Sequence, residues 1–105
     1  MADYRMYIGG QWVPAVNGGY YADISPYSGK TIGMVPAGGA EDARMAIDAA
    51  QSAFPAWSAY PPAEKRKLLF RAADIMDRRA EEFSRKLPIE TGAPGPVAAA
   101  PPPPP

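Results

Sequence analysis

The chain has 105 residues, and its 11 Lys and Arg balance 11 Asp and Glu, so the formal net charge is zero. This length allows one domain at most, and the balanced charge gives no electrostatic reason to expect nucleic acid or an anionic membrane as a partner. The chain contains no cysteine and no histidine. It therefore lacks a thiol nucleophile and the commonest general base near neutral pH, and we expect that it is not a complete enzyme by itself.

The start of the chain shows no targeting signal. Residues 1–5 have no basic segment leading into an apolar stretch, which a secretory signal would need. No apolar run in the sequence approaches the ~20 residues of a membrane span. We expect a cytoplasmic protein.

The first third of the chain has the pattern of antiparallel β-ribbons. A Gly-Gly pair separates Tyr4–Ile8 from Gln11–Val13, which predicts a hairpin whose turn needs the positive φ of glycine. Tyr20–Ser25 and Thr31–Val35 are predicted as two further strands, joined by a turn with the sequence Pro-Tyr-Ser-Gly.

The apolar period becomes helical after residue 40. Apolar residues recur at spacings of three and four from Ala43 to Phe54, and alanine dominates among them, which predicts a helix that packs close to a neighbour. Glu41 and Asp42 place negative charge in its first turn, where the helix dipole favours it. Pro55 is predicted to end this helix.

A second helix is predicted to begin at Pro61-Pro62, and a third to follow a kink near Asp77 and to end at Pro88. The face predicted to be buried consists of Leu68, Leu69, Ala72, Ala73, Ile75 and Met76. The exposed face is predicted to form the i,i+4 ion pairs Glu81–Arg85 and Glu82–Lys86.

This element order predicts an α+β fragment of an α/β fold, in which antiparallel β-ribbons are followed by two or three amphipathic helices. The composition changes after Gly92, since residues 93–105 hold seven of the 14 prolines and no charged or aromatic residue. We therefore predict a folded part at residues 1–92 and a disordered proline-rich tail at residues 93–105.

Two features outside the core pattern have plain interpretations. The basic residues Lys65–Lys67 with Arg71 are typical of a solvated helix face rather than a phosphate site. Gly38-Gly39 precedes a helix without the G-x-G-x-x-G spacing, so a loop and helix cap is favoured over an anion site. No nucleophile and base are placed together anywhere in the chain.

A series of short sequence blocks covers nearly all of residues 4–92. The blocks are Tyr7–Val13, Ser25–Gly33, Ala40–Ala43, Ala49–Trp57, Pro62–Arg66, Ala72–Ile75, Arg79–Glu82 and Glu90–Gly92. In order and spacing they resemble the opening part of the aldehyde dehydrogenase superfamily. The resemblance implies that the chain is the N-terminal portion of that family's cofactor-binding domain.

The family's activity, as the resemblance implies it, is the NAD(P)-dependent oxidation of an aldehyde to a carboxylic acid. A cysteine thiolate attacks the aldehyde, hydride passes to the nicotinamide, and a glutamate activates water. These groups belong to other segments of the family's chain. We therefore expect no catalytic and no cofactor-binding residue here, and no binding of NAD or NADP by this chain alone. The full-length family acts as homo-oligomers, whereas this chain is expected to be prone to aggregation.

Two finer expectations also rest on the resemblance. Some members hold a structural monovalent cation near a backbone carbonyl before the Ser25-Pro26 turn and a carboxylate at the position of Glu90. This implies Glu90 as a cation ligand with a carbonyl near Ile24, against the plainer interpretation of a surface carboxylate at a helix end. Ala72–Ile75 and the Glu-Thr-Gly-Ala ending resemble members that act on aromatic aldehydes.

Two departures from the family leave other functions open. Pro88 lies where the family usually continues its helix, and the family pattern stops after Gly92. A non-catalytic interaction protein that presents the polyproline tail is one alternative, although Pro101–Pro104 has no flanking Arg or Lys for an SH3 partner. A non-functional truncated remnant is the other.

Overall fold

The computed structural model describes residues 2–92, so the predicted tail lies outside the described residues. The strands are β1 (Ala2–Asp3), β2 (Met6–Ile8), β3 (Gln11–Val13), β4 (Tyr20–Ile24) and β5 (Thr31–Pro36). The helices are α1 (Ala40–Ala59), α2 (Pro62–Arg78) and α3 (Ala80–Thr91). A two-stranded and a three-stranded sheet followed by three helices confirm the predicted fold class.

The described residues fall into two compact units. The first contains the residues up to Asp23 together with Thr31–Pro61, and the second contains Ile24–Lys30 together with the residues from Pro62 onwards. Within residues 2–92, no helix is both long and apolar enough to cross a membrane.

The predicted hairpin forms in the first unit. β2 and β3 pair antiparallel with Tyr7 opposite Trp12, and their rings contact at a tilt of 45° with centroids 4.8 Å apart. Gly9 and Gly10 make the turn with φ of 59° and 81°, a region that other residues rarely adopt.

A three-stranded sheet completes the β-structure, with the strands in the order β1-β5-β4. β1 pairs parallel to β5, with Ala2 opposite Gly33, and the amide of Tyr4 donates to the carbonyl of Met34 at 2.9 Å. The sequence does not predict β1, because its two residues are too few to show a hydrophobic period.

α1 does not end at Pro55, so that prediction is wrong. The helix continues to Ala59, and the amide of Tyr60 closes it by donating to the carbonyl of Trp57 at 3.1 Å. Proline removes only its own amide from the ladder, and the turn that follows it is reinforced by stacking of the Trp57 and Tyr60 rings at 5.8 Å.

In the second unit, α2 and α3 meet at Arg79, whose backbone has left helical geometry with φ of −103° and ψ of 15°. This confirms a break close to the predicted kink at Asp77. α3 continues through Pro88, contrary to the prediction, and ends at Gly92. Gly92 is the C-cap residue of α3. It adopts a left-handed backbone with φ of 75°, and its amide donates to the carbonyl of Pro88 at 2.8 Å.

The described residues enclose very little core. Among them, Ala15 is the only buried apolar residue that is not glycine or proline, and no large side chain is fully buried. The burial predicted for the apolar side of α2 does not occur in this chain, because Leu69 is 67% exposed and Met76 is 59% exposed. The remaining members of that face, Leu68, Ala72, Ala73 and Ile75, are exposed as well. The sequence of α2 is amphipathic, but no other part of residues 2–92 covers its apolar side.

Candidate functional site

Asp42 is the most connected side chain of the first unit. It occupies the third position of α1 and is 5% exposed. One carboxylate oxygen accepts from the amide of Val16 at 3.0 Å, and the other accepts from the amide of Gly39 at 2.9 Å. The carboxylate therefore caps α1 and also attaches the segment after β3 to it, across 26 residues of sequence.

This arrangement settles the role of the glycine pair before α1. Gly39 is the N-cap residue, and the negative charge that the helix start favours is supplied by Asp42. The structure agrees with the sequence interpretation of a loop and helix cap. The sequence pointed to Asp42 as a favourable first-turn charge but carried no signal for its bond to Val16.

The alanine side of α1 faces the hairpin of the first unit. A Cβ added to Gly9 would lie 3.9 Å from the Cβ of Ala49, and the hairpin turn lies beside Ala46, Ala50 and Ala53. This confirms the predicted close approach of a neighbour. Short alanine side chains let the helix and the turn come together without bulk between them.

The larger apolar residues of α1 lie on another side. At 100° per residue, Ile47 and Phe54 project about 80–100° away from the direction of Ala46. They are 64% and 65% exposed. α1 thus turns its alanine side towards the hairpin, where Ala49 is half-buried, and leaves its large residues open.

α2 presents the most continuous open apolar surface. At 100° per residue, six of its apolar residues cover an arc of about 160°, wide enough for a helix that faces a domain core. We call this surface the α2 face; it runs from Ile75 through Leu68, Ala72, Met76 and Leu69 to Ala73. α2 has no buried residue. A wide apolar arc without cover indicates that another polypeptide surface belongs on it.

Charged side chains gather instead around the break between α2 and α3. Glu82 accepts hydrogen bonds from Arg79 at 2.8 and 2.9 Å and from Lys86 at 2.8 Å. Hydrogen bonding from Arg79, and then from Lys86, lowers the pKa of Glu82 to about 2. The predicted Glu82–Lys86 pair is confirmed, while the pair Glu81–Arg85 is absent from the ion pairs of residues 2–92.

Glu90 lies in the last turns of α3 and is exposed. Just beyond it, a Cβ added to Gly92 would lie 3.7 Å from the Cβ of Tyr27, so the end of α3 approaches the turn at residues 25–29 within the second unit. Across residues 2–92 no three His, Cys, Asp or Glu side chains come together as metal ligands. The end of α3 and the turn are thus neighbours, and Glu90 lies two residues before Gly92.

Comparison with known proteins identifies the class of fold. The model of the aldehyde dehydrogenase family matches residues 12–100, and the chain belongs to this family. It spans about a fifth of the length of the relatives and structures described below.

Two relatives and one structure illustrate the similarity. The chain is 37% identical over 91 residues to a long-chain-aldehyde dehydrogenase of Acinetobacter sp, covering 87% of this chain and 18% of the relative. It is 42% identical over 93 residues to the vanillin dehydrogenase of Pseudomonas fluorescens, covering 89% of this chain and 19% of the relative. It superposes with a TM-score of 0.88 and 37% identity on PnpE in complex with nicotinamide adenine dinucleotide, covering 92% of this chain and 20% of that one.

Proposed function

We propose that this chain serves as the N-terminal structural portion of an enzyme that oxidises an aldehyde to a carboxylic acid with NAD or NADP. Family membership supports this proposal, and so does the similarity to a structure solved with nicotinamide adenine dinucleotide. One relative is named for long-chain aldehydes and another for vanillin, an aromatic aldehyde. The substrate chemistry common to these names is the aldehyde group.

The proposal rests on one observation: the chain has the fold of the family, but its apolar helix surfaces are exposed. The likeness to a solved relative extends over 92% of the chain, yet α2 has no buried residue. The chain also has no cysteine to attack an aldehyde. We infer that it shapes and supports the catalytic domain and that the 105 residues alone neither bind the cofactor nor turn over an aldehyde.

Within that domain the residues of this chain act by position. Asp42 holds the start of α1 against the segment that follows the hairpin, through the amides of Gly39 and Val16. The α2 face supplies apolar surface to the rest of the enzyme. A cytoplasmic location and assembly into homo-oligomers belong to the same proposal.

Glu90 remains the proposed ligand for a structural monovalent cation. The approach of Gly92 to Tyr27 supports it, because this contact brings the end of α3 to the turn whose backbone carbonyls would complete the site. One carboxylate among carbonyl oxygens suits a hard, singly charged cation. Replacement by Gln should remove a cation-dependent rise in thermal stability of the whole enzyme, and equal dependence in both proteins would refute the assignment.

A segment exchange tests the proposed function. The segment of the Pseudomonas fluorescens vanillin dehydrogenase that matches this chain would be replaced by the corresponding residues of this chain. The chimera should reduce NAD or NADP in the presence of an aldehyde, whereas the isolated 105-residue chain should give no reduction above the rate without enzyme. A chimera that elutes like the parent enzyme but has no activity would contradict the proposal, as would turnover by the isolated chain after repurification.

A further inference from the structure

The turn between β3 and β4 carries the only asparagine of the chain. Asn17 is followed by Gly18 and Gly19, and both Asn17 and Gly18 are exposed. A Cβ added to Gly18 would meet no atom within 4 Å. Gly18 thus has no side chain of its own, and open space lies where one would be, so its backbone nitrogen is unshielded. This nitrogen and the side-chain amide of Asn17 are spaced to close a five-membered ring.

Two local hydrogen bonds hold this turn. The amide of Gly18 donates to the carbonyl of Ala15 at 2.9 Å, and the amide of Gly19 donates to Oδ1 of Asn17 at 2.8 Å. Each bond engages one of the groups that would react, the nitrogen of Gly18 and the side-chain amide of Asn17. Hydrogen bonds between neutral groups contribute little net stability where water can replace them, so these two bonds delay a reaction but do not prevent it.

We propose that Asn17 is a site of spontaneous deamidation. When the turn opens, the backbone nitrogen of Gly18 gives up its proton to hydroxide and forms a bond to Cγ of Asn17. The bond between Cγ and Nδ2 breaks, and Nδ2 takes a proton from water and leaves as ammonia. Water then adds to one of the two carbonyls of the resulting succinimide and opens the ring to aspartate or isoaspartate. The reaction consumes one water, releases one ammonia and changes no oxidation state.

Isoaspartate would weaken a contact between this turn and α1. The amide of Val16, the residue before Asn17, donates to a carboxylate oxygen of Asp42 at 3.0 Å. Val16 lies inside the turn that the bond from Gly18 to Ala15 closes. In isoaspartate the main chain runs through the former side chain and is one carbon longer, so the turn can no longer close as it does here and the Val16 amide loses its fixed direction. Because ammonia leaves, the change accumulates with the age of the protein. The inference does not depend on the proposed function.

Peptide mapping of the aged chain tests the site. The 105-residue chain would be incubated at mildly alkaline pH, sampled over days, and digested for mass spectrometry beside an unaged sample. We expect the mass gain of one deamidation at Asn17, in two products that separate by chromatography, one with aspartate and one with isoaspartate. Gln11 and Gln51 should remain unchanged over the same time, because their longer side chains would have to close a six-membered ring.

Two variants of Asn17 serve as matched controls. Asn17→Gln keeps an exposed primary amide in the same turn but adds one methylene, so deamidation at this position should be at least about tenfold slower. Asn17→Asp carries the new charge without the longer main chain. NMR-detected hydrogen exchange at Val16 should be roughly tenfold faster in the isoaspartate form, and within about threefold of the unmodified chain in Asn17→Asp.

Four outcomes would overturn the inference. Two concern the reaction: an Asn17 amide that persists throughout the incubation, and deamidation of Asn17→Gln at the rate of the unmodified chain. The other two concern its consequence: equal exchange at Val16 in the isoaspartate form and the unmodified chain, and an acceleration in Asn17→Asp as large as that in the isoaspartate form.

Discussion

Replacement of Asp42 should loosen the start of α1 and the segment after the hairpin at the same time. Its carboxylate is 5% exposed and accepts two backbone hydrogen bonds, from Val16 and from Gly39. A hydrogen bond to a charged group contributes about 1.5–3 kcal/mol. Val16 is 54% exposed, so water can replace part of its hydrogen bond once the carboxylate is gone; we therefore count the Gly39 bond at the lower end of that range and the Val16 bond at or below it. Asp42→Ala should then cost about 2–3 kcal/mol in total.

The effect should appear as faster amide exchange at two sites. A cost of about 2–3 kcal/mol corresponds to a roughly 30- to 150-fold increase in exchange rate where local opening controls exchange. NMR-detected hydrogen exchange at the amides of Val16 and Gly39 measures it. Asp42→Asn should have an intermediate effect, because the side-chain amide offers one acceptor oxygen where the carboxylate offers two.

Asp48→Ala is the matched control for this prediction. Asp48 is an exposed acid on the same helix and has no hydrogen bond comparable to those of Asp42 among residues 2–92. Its removal should change exchange at Val16 and Gly39 by less than about threefold. Equal effects of the two alanine variants, or unchanged exchange in Asp42→Ala, would refute the capping argument.

Three further predictions concern other parts of the chain. The pKa of Glu82 is lowered from 4.5 to about 2, so the stabilisation of α3 by its ion pairs should be fully present above pH 4.5 and lost as the pH falls towards 2. Arg79→Gln should move the titration of the Glu82 carboxyl, followed by NMR, to higher pH, and an unchanged midpoint would count against the Arg79–Glu82 pair. Pro55→Ala should raise the thermal midpoint, because an interior proline costs a helix up to about 3 kcal/mol, and a lowered midpoint would show that the proline is needed. We propose that the isolated chain aggregates through Ile47 and Phe54, which are both more than half exposed; replacing both by Ser should reduce its dye binding and light scattering, and unchanged scattering would contradict this proposal.

Local patterns predicted most of the secondary structure. The hairpin could be predicted because a Gly-Gly turn imposes a backbone conformation that few other sequences tolerate. The helices could be predicted from spacing, but their ends could not. The pattern predicts helix ends at Pro55 and Pro88, whereas a proline removes one hydrogen bond and the next turn still forms. Gly92 ends α3 because its left-handed backbone turns the chain.

Long-range features were beyond the reach of local patterns. The parallel pairing of β1 with β5 joins residues about 30 apart and leaves no period in a two-residue strand. The bond from Val16 to Asp42 likewise depends on where two distant segments meet. The assumed burial of Leu69 and Met76 failed for a different reason. An amphipathic pattern specifies that a face requires cover but not that the same chain provides it.

Amide exchange in α2 tests the central claim most directly, because that claim concerns a family fold whose apolar face is completed by other polypeptide. Exchange at Pro62–Arg78 would be measured by mass spectrometry in the isolated chain and in the chimera with the vanillin dehydrogenase. We predict fast exchange in the isolated chain, where α2 has no buried residue, and exchange slower by a factor on the order of 100 in the chimera. Equally slow exchange in both proteins would show that α2 needs no cover and would contradict the account.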